Sequence, residues 1–203
     1  MGRFMKNLGL FAVVFKKFRP QSSKPEEKNL PNLLKQDFKA QTINQKWVAD
    51  ITYIHTLSDG WCYLASIMDL ASHKIIGYEF SRSMDSKIVT DALHNAMLSQ
   101  GTPRDVIIHT DRGSQYLSSS YLETTDKYNV RRSYSAKGNP YDNAVIESFH
   151  SILKKEEVYQ KTYLSFEQAK LALFEYIEGW YNRNRIHGSI GFMTPDEFEK
   201  SVA

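Results

Sequence analysis

The sequence predicts a mixed α/β domain: a five-stranded sheet that begins as an antiparallel three-strand meander, with helices flanking it. Three observations carry this expectation. Residues 46–80 contain three runs rich in β-branched and aromatic residues, separated by short turn signals. Residues 85–134 alternate helical periodicity with short apolar runs, and residues 140–181 are mostly helical in pattern.

The first strand is expected over Lys46–Thr56, and Ser58-Asp59-Gly60 is a hairpin turn signal. Strands over 61–70 and 73–80 complete the meander. In 85–100, Ile88, Val89, Ala92, Leu93, Ala96 and Met97 recur at helical spacing, and Gly101-Thr102-Pro103 stops the helix. Val106-Ile107-Ile108 is short and wholly apolar, as in a strand covered on both faces. A helix over 119–128 and a strand over 130–134 follow. The next helix is expected to open with Asn139 as its cap and Pro140 at its first position. Its apolar side is Val145, Ile146, Phe149, Ile152 and Leu153, and Asp142 is expected to favour its N-terminus. A long helix spans 166–181. Thr194-Pro195-Asp196-Glu197 restarts one with a cap, a proline and an acid three residues on.

The 203 residues suffice for one domain with a real core. The net charge of +3 is unevenly placed. Residues 1–39 hold nine Lys or Arg against three acids, leaving −3 on the rest. The chain therefore divides into a basic arm and linker (1–39) and a folded domain (40–203), and the arm suits a polyanion. A short amphipathic helix is expected over 3–18 and a polar linker over 20–31. Cys62 is the lone cysteine, which excludes an intrachain disulfide and a cysteine metal cluster. No stretch approaches the ~20 apolar residues of a membrane span, so a cytoplasmic protein without membrane contact is expected.

Three carboxylates stand where structure alone does not ask for them. Asp50 interrupts the first strand, although acids are depleted in strand interiors and costly to bury unpaired. Asp111 follows the buried strand, at the end where open α/β sheets place ligand groups. Glu147 lies on the polar stripe of its helix, with Asn143 four residues before and Lys154 seven after. Each alone has a plainer explanation: an edge position, a turn, a solvated helix residue. Together they fit a hard cation such as Mg²⁺ or Mn²⁺. Two such ions about 3.5–4 Å apart clamp the attacking and leaving oxygens of a phosphoryl displacement.

Three blocks then carry a resemblance: Trp47 to Ile54 (WVADITYI), His109 to Tyr116 (HTDRGSQY) and Ser135 to Phe149 (SAKGNPYDNAVIESF). They resemble the DDE transposases of bacterial insertion sequences, the catalytic second-reading-frame type related to retroviral integrases. The 35 residues between Asp111 and Glu147 match that family, and 181–188 (YNRNRIHG) with Thr194-Pro195 is similar to its C-terminal part. The resemblance implies an RNase H-like core, Asp50, Asp111 and Glu147 as catalytic metal ligands, two Mg²⁺ (or Mn²⁺) ions, and cleavage at transposon ends followed by 3′-OH strand transfer into target DNA. It further implies a homo-oligomer on DNA, nucleoid-associated in the cytoplasm. Such proteins usually carry a longer N-terminal region with helix-turn-helix elements. Residues 2–20 read as its end, and an upstream-frame protein is an expected partner. The rival expectations are a hydrolytic nuclease of the same fold and a truncated DNA-binding or inhibitory fragment.

Supporting residues follow. Lys154, Lys155, Asn143, Lys137, Arg131, Arg183 and Arg185 are candidate DNA contacts, with solvated charge or capping as the alternatives. His109, Gly113 and Gln115 are expected to flank and orient the acids. Tyr116, Tyr134 and Tyr141 stack on unpaired bases or pack in the core.

Overall fold

A computed structural model of the chain describes residues 30–136 and 140–202. The helix expected over 3–18, most of the linker, and Lys137, Gly138 and Asn139 lie outside the described residues. The sheet holds β1 (Lys46–Thr56), β2 (Gly60–Asp69), β3 (Ile75–Ser81), β4 (Ile107–Thr110) and β5 (Arg131–Tyr134), in the order β3-β2-β1-β4-β5. The meander is antiparallel, and β4 and β5 add to β1 in parallel.

Alternation along β1 sets the layers, because successive side chains point to opposite faces. Trp47 and Ala49 face α1 (Ser86–Ser99) and α2 (Ser119–Lys127), joining Ile88, Leu93 and Tyr121 in one core. Val48 and Ile54 face α3 (Ala144–Glu156) and α4 (Phe166–Phe174), joining Ile146, Phe149 and Leu153 in the other. At Gly77 of β3, any Cβ would sit 2.5 Å from that of Ala96, so α1 lies on the sheet only because the glycine lacks one.

Four expectations need correction. Helix α3 is not opened by Asn139 and Pro140. A 3₁₀ turn occupies Pro140–Asn143, and the helix proper begins at Ala144 with no side-chain cap. Asp142 falls in that 3₁₀ turn rather than in α3, and its carboxylate is tied to distant groups, as described below. The strand expected at 106–108 runs over Ile107–Thr110 instead, because the ladder to β1 and β5 extends through it. The long helix is α-helical only to Phe174 and π-helical over Glu175–Tyr181. The wider turn ends by presenting Asn182, whose amide pairs with both backbone groups of Ile75 on edge strand β3, at 3.0 Å each. The capping box at Thr194 forms as expected, with Thr194 Oγ1 accepting from Glu197 N–H and Glu197 Oε2 from Thr194 N–H. It opens α5 (Pro195–Val202).

Residues 30–38 form a strap along β5. Tyr134 N–H donates to Pro31 O, Leu33 and Leu34 N–H donate to Ser133 Oγ, and Leu34 is buried. No helix among the described residues is long and apolar enough to cross a membrane.

Candidate active site

The parallel pairing of β1 with β4 sets the site. The ladder ends at Val48 against His109, leaving Asp50 two residues beyond the last pair on β1 and Asp111 two residues beyond it, just after β4. Both acids therefore follow the same end of the parallel ladder, and the charge of Asp50 is felt at Asp111. Helix α3 crosses this edge. Asp50, Thr52, Glu147, His150, Ser151, Lys154, Lys155 and Tyr159 line an open cleft of about 400 Å³.

The three acids sense one another. Crowding by protein atoms, then the negative charge of Asp50, pushes Asp111 above the ordinary carboxylate range, while the Gly113 N–H opposes the rise. Glu147 is raised for the same reasons: crowding first, then Asp50, with His150 opposing and Asp111 adding. Among the described residues no hydrogen bond reaches the Glu147 carboxylate, and no three His, Cys, Asp or Glu converge into a ready-made metal cage. The donor chemistry nevertheless suits a hard cation: three carboxylates, two of them raised by the charge of a neighbouring acid.

His150 was not singled out from the sequence. It lies three residues after Glu147, on the side of α3 turned to the sheet. Its Nδ1 is 3.4 Å from Asp50 Oδ2 and its Nε2 is 3.4 Å from Ser66 Oγ, on the residue paired with Asp50 across β1–β2. The spacing from Glu147, with apolar Phe149 and Leu153 beside it, was the available signal.

His109 is buried and touches no acid of the cleft. Ser133 Oγ already accepts from two backbone N–H groups, so its own proton goes to His109 Nδ1 at 2.8 Å. Nε2 therefore carries the ring proton and donates to Ser135 Oγ at 3.1 Å, and Ser135 donates to Thr110 O. Burial holds this imidazole below its ordinary pKa, which suits the neutral form. The residue locks β4, β5 and the strap together behind Asp111. Gly113 does flank an acid: its N–H donates to Asp111 Oδ1 at 2.9 Å, and a Cβ would lie 3.0 Å from that oxygen. Gln115 is tied to Met84 O.

The expected DNA contacts separate. Lys154 and Lys155 line the cleft. Asn143 does not reach the surface, being only 4% exposed. Arg131 begins β5, which runs parallel to β4, so it sits at the far end of the sheet from Asp111. Arg183 lies 3.9 Å from Asp196, and Arg185 pairs with Glu156 at 3.2 Å on the last turn of α3. Tyr116 and Tyr134 are core residues, whereas Tyr141 is 72% exposed.

Comparison with known proteins adds a separate line of argument. The family described as integrase core domain matches residues 40–140, and a second family of the same description matches 128–195. The transposase InsF for insertion sequence IS3A of Escherichia coli (strain K12) is 43% identical over 198 residues, 96% of this chain and 68% of that protein. The transposase for insertion sequence element IS904 of Lactococcus lactis is 38% identical over 201 residues, 98% of this chain and 79% of that one. Among solved structures, the HTLV-2 integrase catalytic core domain in complex with magnesium superposes with a TM-score of 0.60 at 18% identity, covering 79% of this chain and 99% of that one. A simian T-cell lymphotropic virus intasome chain gives 0.66 at 19% identity, covering 79% and 56%. The structural likeness is one of fold, the RNase H-like integrase core.

Proposed function

The chain belongs to the integrase-core transposases of bacterial insertion sequences, and from that premise we propose that Asp50, Asp111 and Glu147 are its catalytic metal ligands. The observation that supports this most is the β1–β4 ladder that ends just before Asp50 and Asp111, with Glu147 on α3 feeling the charge of both. The proposed reaction is Mg²⁺-dependent cleavage at the element's ends, then attack of the freed 3′-OH on a target phosphodiester. Bound divalent metal would supply Lewis acidity and neutralise charge building on the phosphate oxygens.

This chain's residues do the positioning. Gly113 N–H fixes one oxygen of Asp111. His150, braced against Ser66, steadies Asp50. Lys154 and Lys155 lie along the cleft for the DNA backbone, a point charge each. No covalent enzyme intermediate is required, because in-line phosphoryl transfer is catalysed by positioning and electrostatics. We further propose that the chain works on DNA as a homo-oligomer at the nucleoid, with residues 1–39 as a basic arm and linker, residues 40–203 as the catalytic domain, and an upstream-frame protein as partner.

The test is joining of pre-cleaved end oligonucleotides to a target plasmid with Mg²⁺. The wild type is expected to form joined product and Glu147→Gln to lose it by on the order of 10³-fold, the scale of removing a principal electrostatic stabiliser. Equal product from both sinks the assignment; cutting without joining shows a hydrolytic nuclease instead.

A further inference from the structure

We infer that Tyr53, His55 and Trp61 form a platform on which an unpaired base stacks when DNA lies in the cleft. The inference rests on the DNA-processing role just described and adds a binding surface to it.

The three side chains share the outward face at the tip of the β1–β2 hairpin, where α1 and α2 no longer cover the sheet. Trp61 pairs across the strands with His55 and lies diagonal to Tyr53. The rings pack edge to face, with Tyr53–Trp61 centroids 5.2 Å apart at 83° and His55–Trp61 centroids 5.0 Å apart at 76°. That arrangement holds them up from the sheet, and Tyr53 and Trp61 stay 57% and 55% exposed. A contiguous group of exposed apolar rings, unlike one scattered singly, is a candidate contact surface.

Two observations select a nucleic acid base as the occupant. The platform is joined to the cleft through Lys154, whose Nζ is 4.1 Å from the Tyr53 ring centre while its side chain lines the cleft beside Asp50 and Glu147. A phosphate held by Lys154 and Lys155 therefore has its neighbouring base within reach of the rings. The charge also suits DNA: the two lysines face the cleft, and Asp59 at the hairpin turn is already neutralised by Arg82 at 2.7 Å. Aromatic rings flanking a cationic groove are how single-stranded nucleic acid is held without sequence readout. The base must be unpaired, since a paired one hides its faces in the stack.

The test uses the full chain and two duplex oligonucleotides, one blunt and one with a single-stranded tail whose first base is 2-aminopurine. The wild type is expected to prefer the tailed duplex and to change the 2-aminopurine emission. Trp61→Ala and, separately, Tyr53→Ala should weaken tailed-duplex binding by about fivefold to a hundredfold, the range of one base stack, and leave blunt-duplex binding unchanged. Trp61→Phe should recover part of the preference, which separates stacking from a misfolded hairpin. The platform is overturned if the wild type binds both duplexes alike, if the preference survives both alanine substitutions, or if they alter only the sedimentation of the protein, which assigns the rings to a second copy of the chain. Failure of the Glu147 joining test would remove the catalytic assignment without touching these outcomes.

Discussion

Asp142 and Glu147 stand five residues apart at the start of one helix, and the fold treats their carboxyl groups in opposite ways. Asp142 is buried and, among the described residues, accepts from Ala136 N–H at 2.7 Å, Gln36 Nε2 at 2.8 Å and Asn32 Nδ2 at 2.9 Å. Burial pushes its pKa up, but those donors outweigh it and hold the group below the ordinary range. Glu147 is exposed, faces two other acids and is raised. Donors turn one carboxylate into a tie between the strap, the end of β5 and the turn that leads into α3. The lack of donors leaves the other available to a cation.

The sharpest way to break this comparison is to neutralise each acid. Glu147→Gln, Asp111→Asn and Asp50→Asn should each abolish Mg²⁺-dependent joining, by on the order of 10³-fold, while the melting temperature measured in EDTA stays level or rises. Asp142→Asn should do the reverse, destabilising the fold by about 2–4 kcal/mol in urea unfolding, because buried donors lose their charged acceptor. Equal stability losses at all four positions would erase the distinction.

The sequence made one half of the comparison legible and hid the other. Asp50 was conspicuous because a strand interior is the wrong place for an acid, and Asp111 and Glu147 stood out by position and spacing. The sheet was readable for a similar reason: β1 to β3 are local, and their alternation is intact. The tie made by Asp142 is not legible there, because two of its partners, Asn32 and Gln36, lie more than 100 residues upstream and meet it only in the folded chain. The place of Arg131 is not legible either, because nearness in sequence to α3 says nothing about which end of a parallel strand it occupies. His150 sat in plain view, but a polar residue on a helix's buried side gains meaning only when its partner strand is known.

His150 offers a smaller perturbation, between the two extremes. It touches one acid of the cleft without being one of them. His150→Gln should weaken the apparent Mg²⁺ affinity by about 10- to 100-fold, as loss of a residue that orients a metal ligand does, measured as the Mg²⁺ dependence of the melting temperature. An unchanged Mg²⁺ midpoint would leave His150 as core packing alone.

The smallest effect, and the most direct on the contrast, is in pH. Glu147 and Asp111 have folded pKa values above their unfolded ones. Their relative stabilisation is therefore present below the unfolded value and lost as pH rises through the folded one. Asp142 is lowered, so its contribution is present above its unfolded value and lost as pH falls through the folded one. In EDTA, melting temperatures of wild type and Glu147→Gln should converge near pH 4 and separate towards pH 7, with the variant the more stable. Solvent screening at an exposed group keeps this gap to a few tenths of a kcal/mol. Asp142→Asn should behave with the opposite sign: less stable than wild type at pH 7, with the gap narrowing in acid. Added Mg²⁺ should then invert the order of wild type and Glu147→Gln at pH 7, because only the wild type keeps all three carboxylates for the cation, and the shift should shrink as protons compete below pH 5. If Mg²⁺ raises both proteins equally, the repulsion between the acids is real but serves no metal.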